Sequence, residues 1–111
     1  MEVEIKAWAY DIISAIHEIE IFLADAPTFE VYQRDLKTKR AIERNLEIVG
    51  EAMNRILKKK CEASFTDARK IVETRNRIIH SYDSVSDEII WSIITSSLPK
   101  LKEEVEQVLG K

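Results

Sequence analysis

Apolar residues recur along most of this chain at intervals of three and four, which is the period of an amphipathic α-helix. One such run covers about Val3–Ala24, and a second covers about Leu36–Leu57. A third starts near Ala68, and a fourth follows Ser84 or Ser86, either of which can cap it. Each run carries an apolar stripe wide enough to face a shared core, so the pattern predicts four long helices. The stripe of the first helix is formed by Ile5, Trp8, Ile12, Ile16, Ile19 and Leu23.

Residues that favour turns and helix caps mark the ends of these helices. Pro27 ends the first helix, and Thr28 is suited to cap a short helical turn that follows it. Thr66, or Ser64 together with Asp67, can cap the third helix. The connections between the long helices are therefore short, which favours neighbouring helices that run in opposite directions.

Breaks within the helices are few, because the chain contains only two glycines and two prolines. Gly50 lies inside the second helix, where glycine costs about 1 kcal/mol relative to alanine but permits a close crossing by another helix. Pro99 interrupts the fourth apolar run, so a kink or short break is expected near residues 96–98. So few turn residues argue against an all-β fold. The sequence predicts an all-α fold, an antiparallel up-and-down four-helix bundle with a short extra helical turn, in a single domain over residues 1–111.

Composition narrows the class of protein further. The chain is 45% hydrophobic and 33% charged, which is typical of a soluble globular protein. Cys61 is its only cysteine, so no intrachain disulfide can form and a reducing compartment is favoured. No apolar run approaches the ~20 residues of a membrane span, and the first residues do not resemble a signal peptide. We therefore expect a cytoplasmic protein with no membrane partner.

The charges are unevenly distributed along the chain. The segment Arg34–Arg77 contains thirteen basic and seven acidic residues, a local net charge of +6, whereas the remainder carries four basic and thirteen acidic residues, a net charge of −9. A basic middle can present an electropositive surface to a nucleic acid even though the whole chain has a net charge of −3. The alternative is that these cations lie on solvated helix faces, and charge alone favours that interpretation.

Several kinds of functional site are absent from the sequence or weakly indicated. There is no glycine-rich phosphate loop and no paired-cysteine metal site. Glu43, Glu47 and Glu51 repeat every four residues, which suggests either a carboxylate metal face or a solvated face. The solvated face is favoured, because no Glu-x-x-His element completes a metal site. His17 is interpreted as a partly exposed helical residue.

The remaining candidate is the segment Thr74–Asp83, where polar residues interrupt the third helix near its predicted end. On an ideal helix Arg75 and His80 lie about 140° apart and roughly 7.5 Å apart along the axis. A long arginine can still reach a cleft that the histidine borders. Such a pair suits metal-free RNA cleavage, in which histidine transfers protons and arginine offsets negative charge on the phosphate. The structural alternative is that Arg75 and Arg77 form ion pairs with Glu73 or a neighbouring helix, while His80 and Tyr82 cap the helix end. Spacing alone favours this alternative.

The spacing Arg75-x4-His80-x-Tyr82 resembles the signature of HEPN domains, specifically the HepT-like toxins that are paired with minimal nucleotidyltransferases. The resemblance extends over nearly the whole chain, in the order expected for the family. Two further blocks resemble the second and C-terminal helices of that family: Arg40–Ala52, and Trp91 with Leu98–Leu101.

This resemblance implies a HEPN-like bundle that forms a homodimer, with the two motifs facing a shared cleft. It implies a toxin that cleaves RNA as a metal-independent endoribonuclease, without a cofactor, with tRNA as one candidate substrate. Arg75 and His80 would be the catalytic pair, with Asn76 and Arg77 as supporting motif residues. Tyr82 would be nucleotidylated by the cognate minimal nucleotidyltransferase antitoxin, which neutralises the toxin. The alternative is a non-catalytic, substrate-binding partner subunit of a nucleotidyltransferase.

Overall fold

The computed structural model describes residues 3–59, 64–80 and 85–110. These residues form α-helices and contain no β-strand, which confirms the predicted all-α fold. A π-helical segment, Ile93–Ser97, joins the last two helices into one continuous helical path. The α-helices are α1 (Val3–Asp25), α2 (Phe29–Arg34), α3 (Leu36–Lys58), α4 (Ala68–His80), α5 (Asp87–Ser92) and α6 (Leu98–Val108).

The long helices α1 and α3 pack against each other in opposite directions. Lys59 directly follows α3, and its Nζ lies 3.4 Å from Oε2 of Glu4 at the start of α1. The short helix α2 reverses the chain between them. Thr28 caps α2 as predicted, since its Oγ1 accepts a hydrogen bond from the Val31 amide at 3.3 Å. The observed bounds of α1 and α3 lie within one residue of the predicted ones.

The core lies between α1, α3, α4 and the α5–α6 path, and each contributes most of the apolar stripe that its sequence predicts. Trp8 and Leu23 of the α1 stripe are only partly buried, and Ile79 of α4 is exposed. Burying one isoleucine or leucine side chain stabilises a fold by about 1.5–3 kcal/mol, so these side chains dominate the packing energy. None of the helices in the described residues combines the length and apolar character needed to cross a membrane. Fully buried large aliphatic side chains include those of Ile12, Ile16, Ile19, Ile42, Leu46, Met53, Ile56, Ile71, Ile90, Ile93, Leu98 and Leu101.

The start of α4 differs from the prediction, because the expected capping residues bind to other helices. The amide and Oγ1 of Thr66 donate hydrogen bonds to the Glu104 carboxylate of α6, at 2.8 and 2.5 Å. Asp67 accepts a hydrogen bond from Ser97 Oγ at 2.8 Å. These contacts attach the beginning of α4 to the C-terminal helical path and orient α4 opposite to it.

The interruption predicted near Pro99 is present and takes the form of a π-helical segment. Where a kink or short break was expected near residues 96–98, the α-helix gives way to this segment over Ile93–Ser97, and the Leu98 amide donates to the carbonyl of Ile93, five residues back. Proline lacks an amide donor and its ring collides with the carbonyl four residues before it. A widened turn relieves that collision without ending the helix.

Candidate functional site

The motif residues lie in the last two turns of α4. Arg75 is one turn after the buried Ile71, so its side chain starts on the helix face that packs against α3. Asn76, Arg77 and His80 lie on exposed positions of the same helix. Tyr82, the predicted modification site, lies outside the residues that the structure describes.

Gly50 of α3 allows Arg75 to lie unusually close to that helix. A Cβ atom at position 50 would overlap Cβ of Arg75, would lie 2.8 Å from its Cγ, and would lie 3.3 Å from the Ile71 carbonyl oxygen. Real Cβ atoms essentially never approach another heavy atom so closely. The close crossing that Gly50 permits by sequence is therefore present, and it occurs at the candidate catalytic arginine.

The guanidinium group of Arg75 is fixed by two partners. Its Nη2 lies 2.6 Å from Oε2 of Glu51 on α3, and its Nη1 donates to Oδ1 of Asn76 at 2.9 Å. Its Nε is buried without a hydrogen-bond acceptor in the described part of the chain. Charge-assisted hydrogen bonds of this kind are short and strongly directional, so they set the orientation of the arginine. The ion pair across helices was one of the alternatives left open by the sequence.

The row of three glutamates on α3 is less solvated than the sequence suggested. The side chains of Glu43, Glu47 and Glu51 are only 16, 27 and 35% exposed. Each pairs with an arginine: Glu43 with Arg40 at 3.0 Å, Glu47 with Arg44 at 3.7 Å, and Glu51 with both Arg55 and Arg75. No group of three or more His, Cys, Asp or Glu side chains in the described residues is arranged to hold a metal ion.

A cleft of about 430 Å³ lies over this part of α3 and α4, and α1 forms its opposite wall. Its charged lining is balanced, because three arginines face three carboxylates. The basic residues of the middle segment are thus largely neutralised here, and the cleft is not a simple cationic groove. The charged lining residues are Arg44, Arg55, Arg75, Asp11, Glu47 and Glu51, and the apolar ones are Trp8, Ile48, Ala52 and Ile79.

His80 occupies a different environment from Arg75. It is the last residue of α4, it is exposed, and it does not line the cleft. The structure of one chain therefore brings Arg75 together with Glu51 and Arg55, but it does not bring His80 into the same cleft. The second histidine, His17, is exposed on α1 with its Nδ1 3.9 Å from Glu20, as the sequence suggested.

Two residues of the site were not identified from the sequence, namely Glu51 as the partner of Arg75 and Arg55 as the second cation. The i,i+4 spacing of Glu51 and Arg55 indicates an ion pair within one helix. The contact of Glu51 with Arg75 could not be predicted from the sequence, because it depends on the register between α3 and α4.

Comparisons with known proteins identify the family of this chain. The model of a family described as ribonuclease HepT-like matches residues 12–108. The chain belongs to the HepT-like ribonuclease family. The match spans every helix from the middle of α1 to the end of α6. The family resemblance indicated by the Arg-x4-His-x-Tyr spacing is thereby confirmed.

Three relatives illustrate the HepT-like similarity. A protein of Thermococcus cleftensis named as a probable ribonuclease HepT is 32% identical over 105 residues, covering 93% of this chain and 94% of the relative. A candidate RNase of Caldanaerobacter subterraneus subsp. tengcongensis is 35% identical over 85 residues, 76% of each chain. A candidate RNase of Methanocaldococcus jannaschii is 29% identical over 110 residues, 96% of this chain and 88% of the relative. No solved structure gives a significant match.

Proposed function

We propose that this HepT-like protein is the toxin of a toxin–antitoxin pair and acts in the cytoplasm as a metal-independent endoribonuclease. Arg75 and His80 are its catalytic residues. The observation that carries the proposal is the fixed guanidinium group of Arg75, which Glu51 and Asn76 hold at 2.6 and 2.9 Å in a cleft. Family membership and relatives named as ribonucleases support RNA as the substrate.

The proposed reaction uses the ribose 2′-hydroxyl of the substrate as the nucleophile. Its oxygen attacks the adjacent phosphorus, the bond to the 5′-oxygen of the next nucleotide breaks, and a 2′,3′-cyclic phosphate forms. His80 transfers the protons, by accepting one from the 2′-hydroxyl or by donating one to the leaving oxygen. Arg75 offsets the negative charge that develops on the phosphorane oxygens. A donor that is already oriented stabilises this charge without having to reorganise during the reaction.

We propose a homodimer as the active form, because the described part of one chain does not bring His80 into the Arg75 cleft. Two motifs facing one another across a shared cleft would supply both side chains to one phosphate. Mixing inactive Arg75→Ala and His80→Ala proteins tests whether the pair is shared between subunits. Restored RNA cleavage in the mixture supports shared sites. A monomer by light scattering at micromolar concentration would contradict the dimer.

We further propose that a cognate minimal nucleotidyltransferase neutralises the toxin by nucleotidylating Tyr82. A transferred AMP group would add a bulky anion two residues after His80, where it would compete with RNA for the cationic side chains. Mass spectrometry of the protein after incubation with the partner enzyme and ATP tests this step. A Tyr82→Phe protein should remain unmodified and should resist neutralisation.

The first experiment compares expression of the wild type, His80→Ala and His17→Ala in a bacterial host. His17→Ala is the matched control, because it removes an exposed histidine away from the motif. We expect growth arrest and RNA fragmentation with the wild type and His17→Ala, and neither with His80→Ala. Purified wild type should cleave RNA equally well in EDTA. Intact RNA in all three strains would favour the non-catalytic partner subunit instead.

A further inference from the structure

Two arginines in the cleft share one carboxylate. Glu51 Oε2 lies 2.6 Å from Nη2 of Arg75, and Glu51 Oε1 accepts a hydrogen bond from Nε of Arg55 at 3.0 Å. Arg55 lies on α3, outside the Arg-x4-His motif. Two guanidinium groups and one carboxylate leave one positive charge in this cluster. The cluster therefore suits an anion, although the whole cleft has a balanced lining.

Arg55 retains hydrogen-bond donors that face no acceptor among residues 3–59, 64–80 and 85–110. Arg55 contacts Glu51 through Nε alone, so its two terminal nitrogens make no hydrogen bond within the described residues. Nε of Arg75 also lacks an acceptor there, but it is buried, so the accessible unused donors are those of Arg55, whose side chain is 55% exposed. A guanidinium group has five N–H donors in a rigid plane, and this arrangement matches the oxygens of a phosphate. The unused donors of Arg55 make it a second phosphate-binding side chain next to Arg75.

The comparison of Arg55 with Arg40 isolates what is special about this cluster. Both arginines lie on α3, their side chains are 55 and 56% exposed, and each lies 3.0 Å from a glutamate one turn away. Glu43, the partner of Arg40, pairs with no second cation in the described structure, and Arg40 does not line the cleft. Arg40 therefore belongs to a neutral pair, whereas Arg55 belongs to a cluster with excess positive charge.

We propose that Arg55 and Arg75 form a phosphodiester-binding subsite for RNA in this cleft, with Glu51 fixing both guanidinium groups. The inference rests on the proposed ribonuclease function, since the phosphates that it binds are those of the substrate. Arg75 contacts the phosphate that is cleaved. Arg55 binds a neighbouring phosphate of the same strand and so positions the scissile bond.

A binding experiment tests the subsite without cleavage. The protein carries His80→Ala, and the probe is a fluorescein-labelled 2′-O-methyl oligoribonucleotide, which lacks the nucleophilic hydroxyl. Adding Arg55→Ala should raise the dissociation constant by about 10-fold, as expected for one charge-assisted hydrogen bond to phosphate. It should also reduce the slope of log K against log salt by about one. Adding Arg40→Ala should change the dissociation constant by less than about two-fold.

Three results would overturn the proposal. An equal loss of affinity with Arg55→Ala and Arg40→Ala would indicate a general charge effect. An unchanged affinity with Arg55→Ala would show that Arg55 binds no phosphate. A His80→Ala protein that binds no probe even at low salt would exclude a subsite in this cleft altogether.

Cleavage assays in the otherwise wild-type protein separate this proposal from the proposed function. We expect Arg55→Ala to raise KM by about 10-fold with little change in kcat, because Arg55 binds substrate but transfers no proton. If Arg55→Ala cleaves RNA with an unchanged KM, the proposed subsite is refuted and the proposed ribonuclease function still stands. If RNA binding depends on Arg55 but the wild type cleaves no RNA, the proposed ribonuclease function is refuted and the proposed subsite still stands.

Discussion

Arg75 and His80 belong to the same helix and the same motif, yet their surroundings are opposite. The Arg75 side chain is 23% exposed, lies directly on Gly50 and is paired with Glu51. His80 is exposed at the end of α4 and has no hydrogen bond or ion pair with the described residues. A group that stabilises developing charge gains from a fixed position, because it need not reorganise during the reaction. A group that transfers protons must reach the substrate, and a bound RNA or a second subunit can order it.

This contrast implies that the two halves of the motif should respond differently to mutation. Changes at His80 should affect the reaction and leave the stability of the fold unchanged. Changes at Arg75, Gly50 or Glu51 should affect the reaction and the packing of α4 together. The following predictions run from the largest expected effect to the smallest.

The largest effect is expected for His80→Ala, which removes the proposed proton-transfer group. The rate of RNA cleavage should fall by about 10²–10⁴-fold. The free energy of unfolding should change by less than about 0.5 kcal/mol, because the side chain is exposed. Cleavage assays and urea denaturation measure the two quantities, with His17→Ala as the control. If His80→Ala lowers the free energy of unfolding by more than about 1 kcal/mol, His80 is a structural residue and does not differ from Arg75 in this respect.

Arg75→Lys should have the next largest effect. Lysine retains the positive charge but cannot reproduce the planar fork that reaches Glu51 and Asn76 together. We expect cleavage to slow by about 10²-fold, as when one oriented donor to a transition-state oxyanion is lost. Circular dichroism should show that Arg75→Lys has the same helical content as the wild type. Wild-type activity in this variant would mean that charge alone, without orientation, is sufficient.

Gly50→Ala should disturb the site through packing alone. The added methyl group overlaps Arg75 Cβ, so α3 and α4 must separate, at a cost of about 1–3 kcal/mol in the free energy of unfolding. A displaced Arg75 should also slow cleavage, by about 10-fold or more. Asn54→Ala, elsewhere on α3, is the control for an added alanine. If Gly50→Ala instead stabilises the protein, as a glycine-to-alanine change in an exposed helix does, then α3 and α4 do not cross closely at Gly50 and Arg75.

Glu51→Gln should have the smallest effect of the four. The amide oxygen can still accept one hydrogen bond, but the negative charge shared by Arg55 and Arg75 is lost. We expect kcat to fall by about 10-fold or less, together with a stability loss of about 1 kcal/mol or less. Glu51→Asp should restore part of the rate, since it keeps the charge at a shorter reach. If Glu51→Gln and the wild type cleave RNA with equal kcat, Arg75 needs no carboxylate to orient it.

Much of the fold was predictable because it depends on local patterns. The apolar period gave the bounds of α1 and α3 within one residue, and the short N-cap at Thr28 is local as well. The expected cap at Thr66 was wrong because its partner, Glu104, lies 38 residues away and no local rule identifies it. Pro99 predicted an interruption of the α-helix, but its form as a π-helical segment depends on the packing of the whole helix.

The candidate site was predictable in part for a similar reason. The motif spacing identified the family, and Gly50 was recognised as a position that permits a close crossing. The glutamates of α3 were interpreted as a solvated face, because an i,i+4 row of acids does not reveal which other helix covers it. Only the packing of α4 on α3 shows that Glu51 faces Arg75. Tyr82 and the homodimer remain predictions.

The contact between Gly50 and Arg75 also bears on how such a chain can vary in length during evolution. Inserting or deleting one residue between Asp67 and Arg75 would turn the arginine by about 100° and shift it by about 1.5 Å along the helix axis. Its guanidinium group would then leave Glu51, while the contacts of Thr66 and Asp67 with the C-terminal helical path would hold the start of α4 in place. Length changes should therefore accumulate in the loops, and the interval from Asp67 to Arg75 should stay constant among functional variants.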